Sequence, residues 1–114
     1  MFEFQNLEIY KKAKAFHVAM NLLIQKTKLQ KNIVDQLYRA SFSISLNIAE
    51  GSGRFSKPDR RNFFIISRSS VFECVAILDI LHDNTQIEEN EFKLHLKSAD
   101  ELSRMLFAMI KNLE

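Results

Sequence analysis

The sequence predicts an all-α protein, specifically an antiparallel up-down four-helix bundle, on three observations. Among 114 residues there are only 2 Gly and 1 Pro, where average usage would supply roughly 14. Those residues punctuate turns and sheet corners, so the shortage argues against a many-stranded fold. An apolar share of 46 % and a charged share of 26 % are ordinary globular values that exclude disorder and collagen-like repeats. Finally, four long segments repeat their apolar residues at helical spacing, with short connections between them. Ten Phe, at about 1.5–3 kcal/mol each when buried, are enough to anchor one compact core. Residues 1–114 therefore read as a single domain with helices at about 7–27, 32–50, 57–83 and 88–113.

The first helix places Ile9, Ala13, Phe16, Met20, Leu23 and Ile24 on one stripe, with Lys11, Lys12 and Lys14 crowded towards the other side. The second aligns Ile33, Leu37, Ala40, Ile44 and Ile48, and Gly51-Ser52-Gly53 is expected to stop it. Glycine adopts the left-handed conformation that ends helices at no Cβ penalty. The third helix has a readable start. Ser56 is a candidate N-cap with Asp59 three residues on, and Pro58 in the first turn gives up only a donor that would be free anyway. Asp83-Asn84 supplies its exit. In the fourth, Glu88, Glu89 and Glu91 complement the helix dipole, and Phe92, Leu96, Ala99, Leu102, Leu106, Met109 and Leu113 form a stripe.

The third helix is apolar on every side. Phe63, Phe64, Ile65, Ile66, Val71, Phe72, Val75, Ala76, Ile77, Leu78, Ile80 and Leu81 cover it all round, whereas three partner helices cover one side only. The excess points to self-association; the alternative is a broad core stripe with a few tolerated exposed residues.

The densest local pattern runs from Arg39 to Arg54 and includes Ser43, Asn47-Ile48-Ala49-Glu50-Gly51 and Gly53; Phe63 and Ser69-Ser70-Val71-Phe72-Glu73 follow. It resembles the signature of the four-helix-bundle family of 23S rRNA intervening-sequence proteins, over nearly the whole chain. More remotely it is similar to the accessory variability proteins of diversity-generating retroelements, which associate with a reverse transcriptase and with RNA. The resemblance implies an antiparallel bundle, often assembled as a ring-shaped homopentamer. The chain departs from the family pattern in two places. Ser45-Leu46 stands where the family usually has Pro, and Ser69-Ser70 where it usually has Gly-Ser.

Spacing has its own reading. Ser43, Asn47, Glu50 and Arg54 recur every three or four residues, so they share a helix face. Arg39 and Glu73 are expected to join them in a polar network that fixes helix register rather than performs chemistry. A lone Glu with Asn and Ser, and no adjacent base or activated nucleophile, makes a poor enzyme. No cofactor or metal is expected. Asp79 and His82 lie at i,i+3 and His95 on a neighbouring helix, but di-metal bundles need Glu-x-x-His motifs that this chain lacks. His17, His82 and His95 read as surface or boundary residues and Cys74 as a small core hydrophobe. Gly-Ser-Gly lacks the lysine of a phosphate loop and the strand before it.

Basic charge remains. Residues 1–68 carry 12 Lys/Arg against 5 Asp/Glu and residues 69–114 carry 4 against 9, which the net charge of +2 conceals. Arg54, Lys57, Arg60, Arg61 and Arg68 surround the corner between the second and third helices, and Phe55 is placed to stack on a base. Repeated around a ring, such corners would form a multivalent phosphate-binding surface. The expected partners are further copies of the chain and RNA or a nucleic-acid-processing protein; the alternatives are charges that confer solubility, or that meet the acidic end of a neighbouring subunit in a protein-only adaptor. No apolar run of 18 residues predicts a membrane span. The start has neither the basic residues nor the apolar run of a signal peptide, and a single cysteine fits the cytoplasm.

Overall fold

The computed structural model describes residues 2–114. A 3-10 turn at Glu3–Asn6 leads into α1 (Glu8–Lys26), α2 (Lys31–Ser52), α3 (Lys57–Asp83) and α4 (Glu89–Asn112); no strand occurs among the described residues. Each helix packs on its neighbours in sequence, and α1 closes the circuit by packing on α4, while the diagonal pairs stay apart. This is the up-down bundle expected of four helices with short connections. The molecule measures 44 × 25 × 22 Å, its length set by α3, whose 27 residues span about 40 Å at 1.5 Å per residue.

The core is assembled from the expected stripes. Phe16, Met20 and Leu23 of α1 meet Leu37, Ile44 and Ile48 of α2, Val71, Leu78 and Leu81 of α3, and Leu102 and Leu106 of α4. The α2–α3 contact is the most extensive of the four, and small residues make it so. Ser67, Ser70 and Cys74 of α3 are all buried, and Ser67 Oγ reaches across to donate to the Ile44 carbonyl at 2.8 Å. That bond is wholly buried and satisfies a hydroxyl that would otherwise be costly in the core.

The helix ends divide between expectation and surprise. Ser56 caps α3, its hydroxyl accepting from Asp59 N–H at 3.2 Å. Neither glycine behaves as a left-handed stop, since no glycine has positive φ. α2 continues through Gly51 to Ser52, and Gly53 closes it at φ −88°, ψ −4°. Gly51 is buried, and a Cβ there would lie 2.7 Å from Phe64 Cε1 and 3.1 Å from Phe63 Cβ. Its role is to let α3 approach. Among the described residues the left-handed one is Thr85, at φ 58°. Thr85 N–H donates to the His82 carbonyl and Gln86 N–H to the Leu81 carbonyl, the paired bonds that close a helix through a left-handed residue.

Candidate nucleic-acid interface

The α2–α3 corner is a four-residue bend, Gly53 to Ser56, between two helices whose ends are fixed by capping. The structure separates the five cations expected to face phosphate, and Phe55 expected to stack on a base, into two groups. Arg54 and Phe55 project from the bend itself and Lys57 from the first turn of α3. Phe55 is fully exposed, and Lys57 has no acidic partner among the described residues. The Arg54 guanidinium lies 4.6 Å from the Phe63 ring centroid and 3.3 Å from Glu50, a half-exposed pair that a competing phosphate can replace.

Arg60, Arg61 and Arg68 instead turn along the bundle. Arg60 Nη2 donates to the Ser52 carbonyl at 3.2 Å and so caps the C-terminus of α2. Its flank lines a hollow of about 490 Å³ shared with Phe2, Phe4, Leu7, Ser52 and Gly53. Arg61 faces Glu114 at 3.6 Å. Arg68 Nε donates to the Ser103 carbonyl at 3.2 Å, and its guanidinium is bracketed by Phe72 and Phe107, at 4.9 and 5.4 Å. These three side chains hold helices together; their spacing in sequence resembles that of the outward-facing cations but their helix faces differ.

The residues expected to form a register network fall into three separate sets of contacts. Arg39 and Glu73 bridge α2 to α3 at 2.8 Å. Asn47 Nδ2 donates to the Ser43 carbonyl at 2.8 Å and to Ser43 Oγ at 2.9 Å, and Ser70 Oγ lies 2.9 Å from Ser43 Oγ, carrying that chain across to α3. Glu50 is occupied by Arg54. Of these contacts, Arg39–Glu73 and Ser70–Ser43 cross from α2 to α3, while Asn47–Ser43 and Arg54–Glu50 stay within four residues of sequence.

Sequence reasoning missed two polar clusters. His17 Nδ1 lies 2.8 Å from Ser41 Oγ, whose proton goes to the Tyr38 carbonyl at 3.2 Å, and the His17 ring packs edge-on against Tyr38 at 4.9 Å and tilted against Phe42 at 5.6 Å. Burial depresses the His17 pKa. Tyr38, Ser41 and Phe42 share a face by spacing, but nothing in the sequence points to a histidine 24 residues away as their partner. His95, expected at a boundary, is buried, because Glu91 sits one turn earlier at 3.1 Å and is itself held by Lys26 at 2.8 Å. Burial pushes the Glu91 carboxyl up, but the bonds to Lys26 and His95 outweigh it and leave the pKa lowered. His82 contacts Glu89 and stacks on Phe92 at 4.0 Å. Cys74 is buried, and burial, with Glu73 beside it, raises the thiol pKa to about 12, which holds it as the unreactive thiol. Among the described residues no three potential ligands converge on a metal site.

Fold and corner together define the class: a four-helix bundle whose polar groups are spent on register and capping, with one exposed basic bend. The chain belongs to the 23S rRNA-intervening sequence protein family, whose model matches residues 5–108. Among solved structures, it is similar to a protein of unknown function from the S23 ribosomal protein family of Bacteroides thetaiotaomicron. That likeness has a TM-score of 0.82 at 23 % identity and covers 90 % of this chain and 98 % of the other. No curated protein sequence matches. No helix is long and apolar enough to cross a membrane among the described residues.

Proposed function

We propose that this protein is a non-enzymatic, self-associating bundle of the cytoplasm that binds RNA, alone or within a ribonucleoprotein, through the α2–α3 bend; the family resemblance points to five copies in a ring. One observation carries the reading. Arg54, Phe55 and Lys57 are all exposed, with Phe55 fully solvated, Lys57 without an acidic partner among the described residues and Arg54 in a half-exposed pair with Glu50. An exposed phenyl with cations close by in sequence offers a base a stacking face and its phosphates positive charge. A second reading, an oligomeric adaptor that binds protein only, is favoured by the engagement of Arg60, Arg61 and Arg68 within their own chain.

Fluorescence anisotropy with a labelled single-stranded RNA separates the two. Under the RNA reading, affinity falls steeply with salt, with a log–log slope of about −0.7 per phosphate contacted. Phe55→Ala then weakens binding by about 1–3 kcal/mol for the base it stacks, and Arg54→Ala with Lys57→Ala reduces the salt slope. Arg60→Ala, by contrast, lowers thermal stability. Absence of RNA binding at low ionic strength would leave the adaptor reading alone.

A further inference from the structure

We infer that the RNA site takes two consecutive nucleotides, one base beside Phe55 at the bend and the next beside Phe2 at the 3-10 turn ahead of α1, with the strand crossing over Gly53; this rests on the RNA reading proposed above and extends its site. Two hollows lie side by side at this end of the bundle. The first, of about 490 Å³, is walled by Phe2, Glu3, Phe4, Leu7 and Arg60. The second, of about 480 Å³, is walled by Glu50, Arg54, Phe55, Ser56 and Asp59. Ala49 and Gly53 line both. Each hollow therefore joins an exposed phenyl to a guanidinium, and each falls within the size range of small-ligand pockets.

Phe2 is supported as a stacking face. Its ring lies parallel to that of Phe4 at 6.1 Å, and Phe4 rests edge-on against Tyr10 at 4.9 Å. Phe2 N–H donates to Gln5 Oε1 at 2.8 Å, which ties down the backbone beneath the ring. Yet Phe2 is 73 % exposed, so a braced aromatic ring faces water, which is what stacking on a base of any sequence requires. Arg60 spends one N–H on the Ser52 carbonyl and has others to offer. The carboxylates of Glu3, Glu50 and Asp59 in the walls decide which part of the strand enters. They repel phosphate and accept from the N–H groups of a base edge, so the bases go in and the phosphates fall to Arg54, Lys57 and Arg60.

Gly53 joins the two hollows. Unlike Gly51, it answers no need of the fold. Its φ is −88°, which any residue adopts, and an added Cβ would meet nothing closer than the Glu50 carbonyl at 3.6 Å. A glycine there gives the unfolded chain freedom that folding must remove, with no packing gained in return. The other use of glycine is to let a ligand pass close to bare backbone, and Gly53 stands on the wall that the hollows share.

Anisotropy of a labelled single-stranded RNA tests this on the full chain. Phe2→Ala is expected to weaken binding about 5- to 150-fold, the loss of one stacked base, and Phe55→Ala by a similar factor. In the double variant the two losses multiply, because the rings hold different bases. Gly53→Leu puts a side chain into the passage and is expected to weaken binding as Phe2→Ala does. Circular dichroism and thermal melting check that each variant folds; Gly53→Ala, whose Cβ the backbone accepts, takes the place of a leucine variant that does not. If either the Phe2 or the Gly53 variant binds as the wild type does, the two-nucleotide site is overturned and the bend reading stands. A double variant no weaker than Phe55→Ala overturns it as well, since both rings then serve one base. Absence of binding by the wild type at low ionic strength overturns both readings.

Discussion

Gly51 illustrates how a single residue can be placed correctly and understood wrongly. Its position at the end of an apolar stripe signals termination, yet the backbone there is helical and the residue is buried against Phe64 and Phe63. Gly51→Ala gains helix propensity of about 1 kcal/mol, but its Cβ meets a ring that is itself locked in the core. Overpacking of this kind costs about 1–3 kcal/mol. A net loss is expected, read as a melting temperature about 5–10 °C lower; an unchanged value would show that Phe64 can yield. His17 gives the second expectation at this scale. Its folded pKa is lowered by burial, so the unfolded chain takes up the proton first as pH falls. The associated stability is complete above the ordinary histidine pKa of about 6.5 and is lost as pH drops below it. Denaturant midpoints between pH 8 and 5.5 should show that decline in the wild type, and His17→Gln should flatten it.

At the scale of elements, periodicity alone locates four helices, because burial of one stripe dominates their formation. Their ends are less legible. Ser56 works as a cap through a bond within four residues of sequence, and local chemistry of that kind can be read directly. α3 ends at Asp83 with Asn84 as its C-cap, where the sequence places its exit, but the left-handed Thr85 that follows is not legible, since β-branched residues rarely adopt that conformation. The bonds from Thr85 and Gln86 back to the last turn, together with burial of Ile87, hold it there. Thr85→Gly should therefore stabilise the protein by about 0.5–1 kcal/mol, net of the flexibility glycine adds to the unfolded chain. Chemical denaturation measures this, and a loss of stability would mean that the Thr85 side chain contributes more than its backbone strain removes.

For the whole molecule, the uneven charge along the chain is resolved inside it. Lys12 and Lys26 of α1 meet Glu101 and Glu91 of α4 at 3.2 and 2.8 Å, Arg39 of α2 meets Glu73 of α3, and Arg61 of α3 meets Glu114. Antiparallel closure of α1 on α4 thus brings the basic and acidic halves together without a second subunit. The pairs differ in worth. Lys12–Glu101 is exposed at both ends, whereas the Glu91 side chain is only 21 % exposed and also bonds His95. A double-mutant cycle on Lys26 and Glu91 is expected to give a coupling of about 0.5–1 kcal/mol, and the cycle on Lys12 and Glu101 less. The four helices, their core stripes, the Ser56 cap and the basic composition of the bend are legible from residue order, because each depends on residues within a turn or two of one another. Folding in three dimensions settles which partner each arginine of that bend takes, why Gly51 must be glycine, and where the charge asymmetry goes. Those outcomes depend on which helix faces meet across tens of residues, and two cations one turn apart in sequence can point to different neighbours.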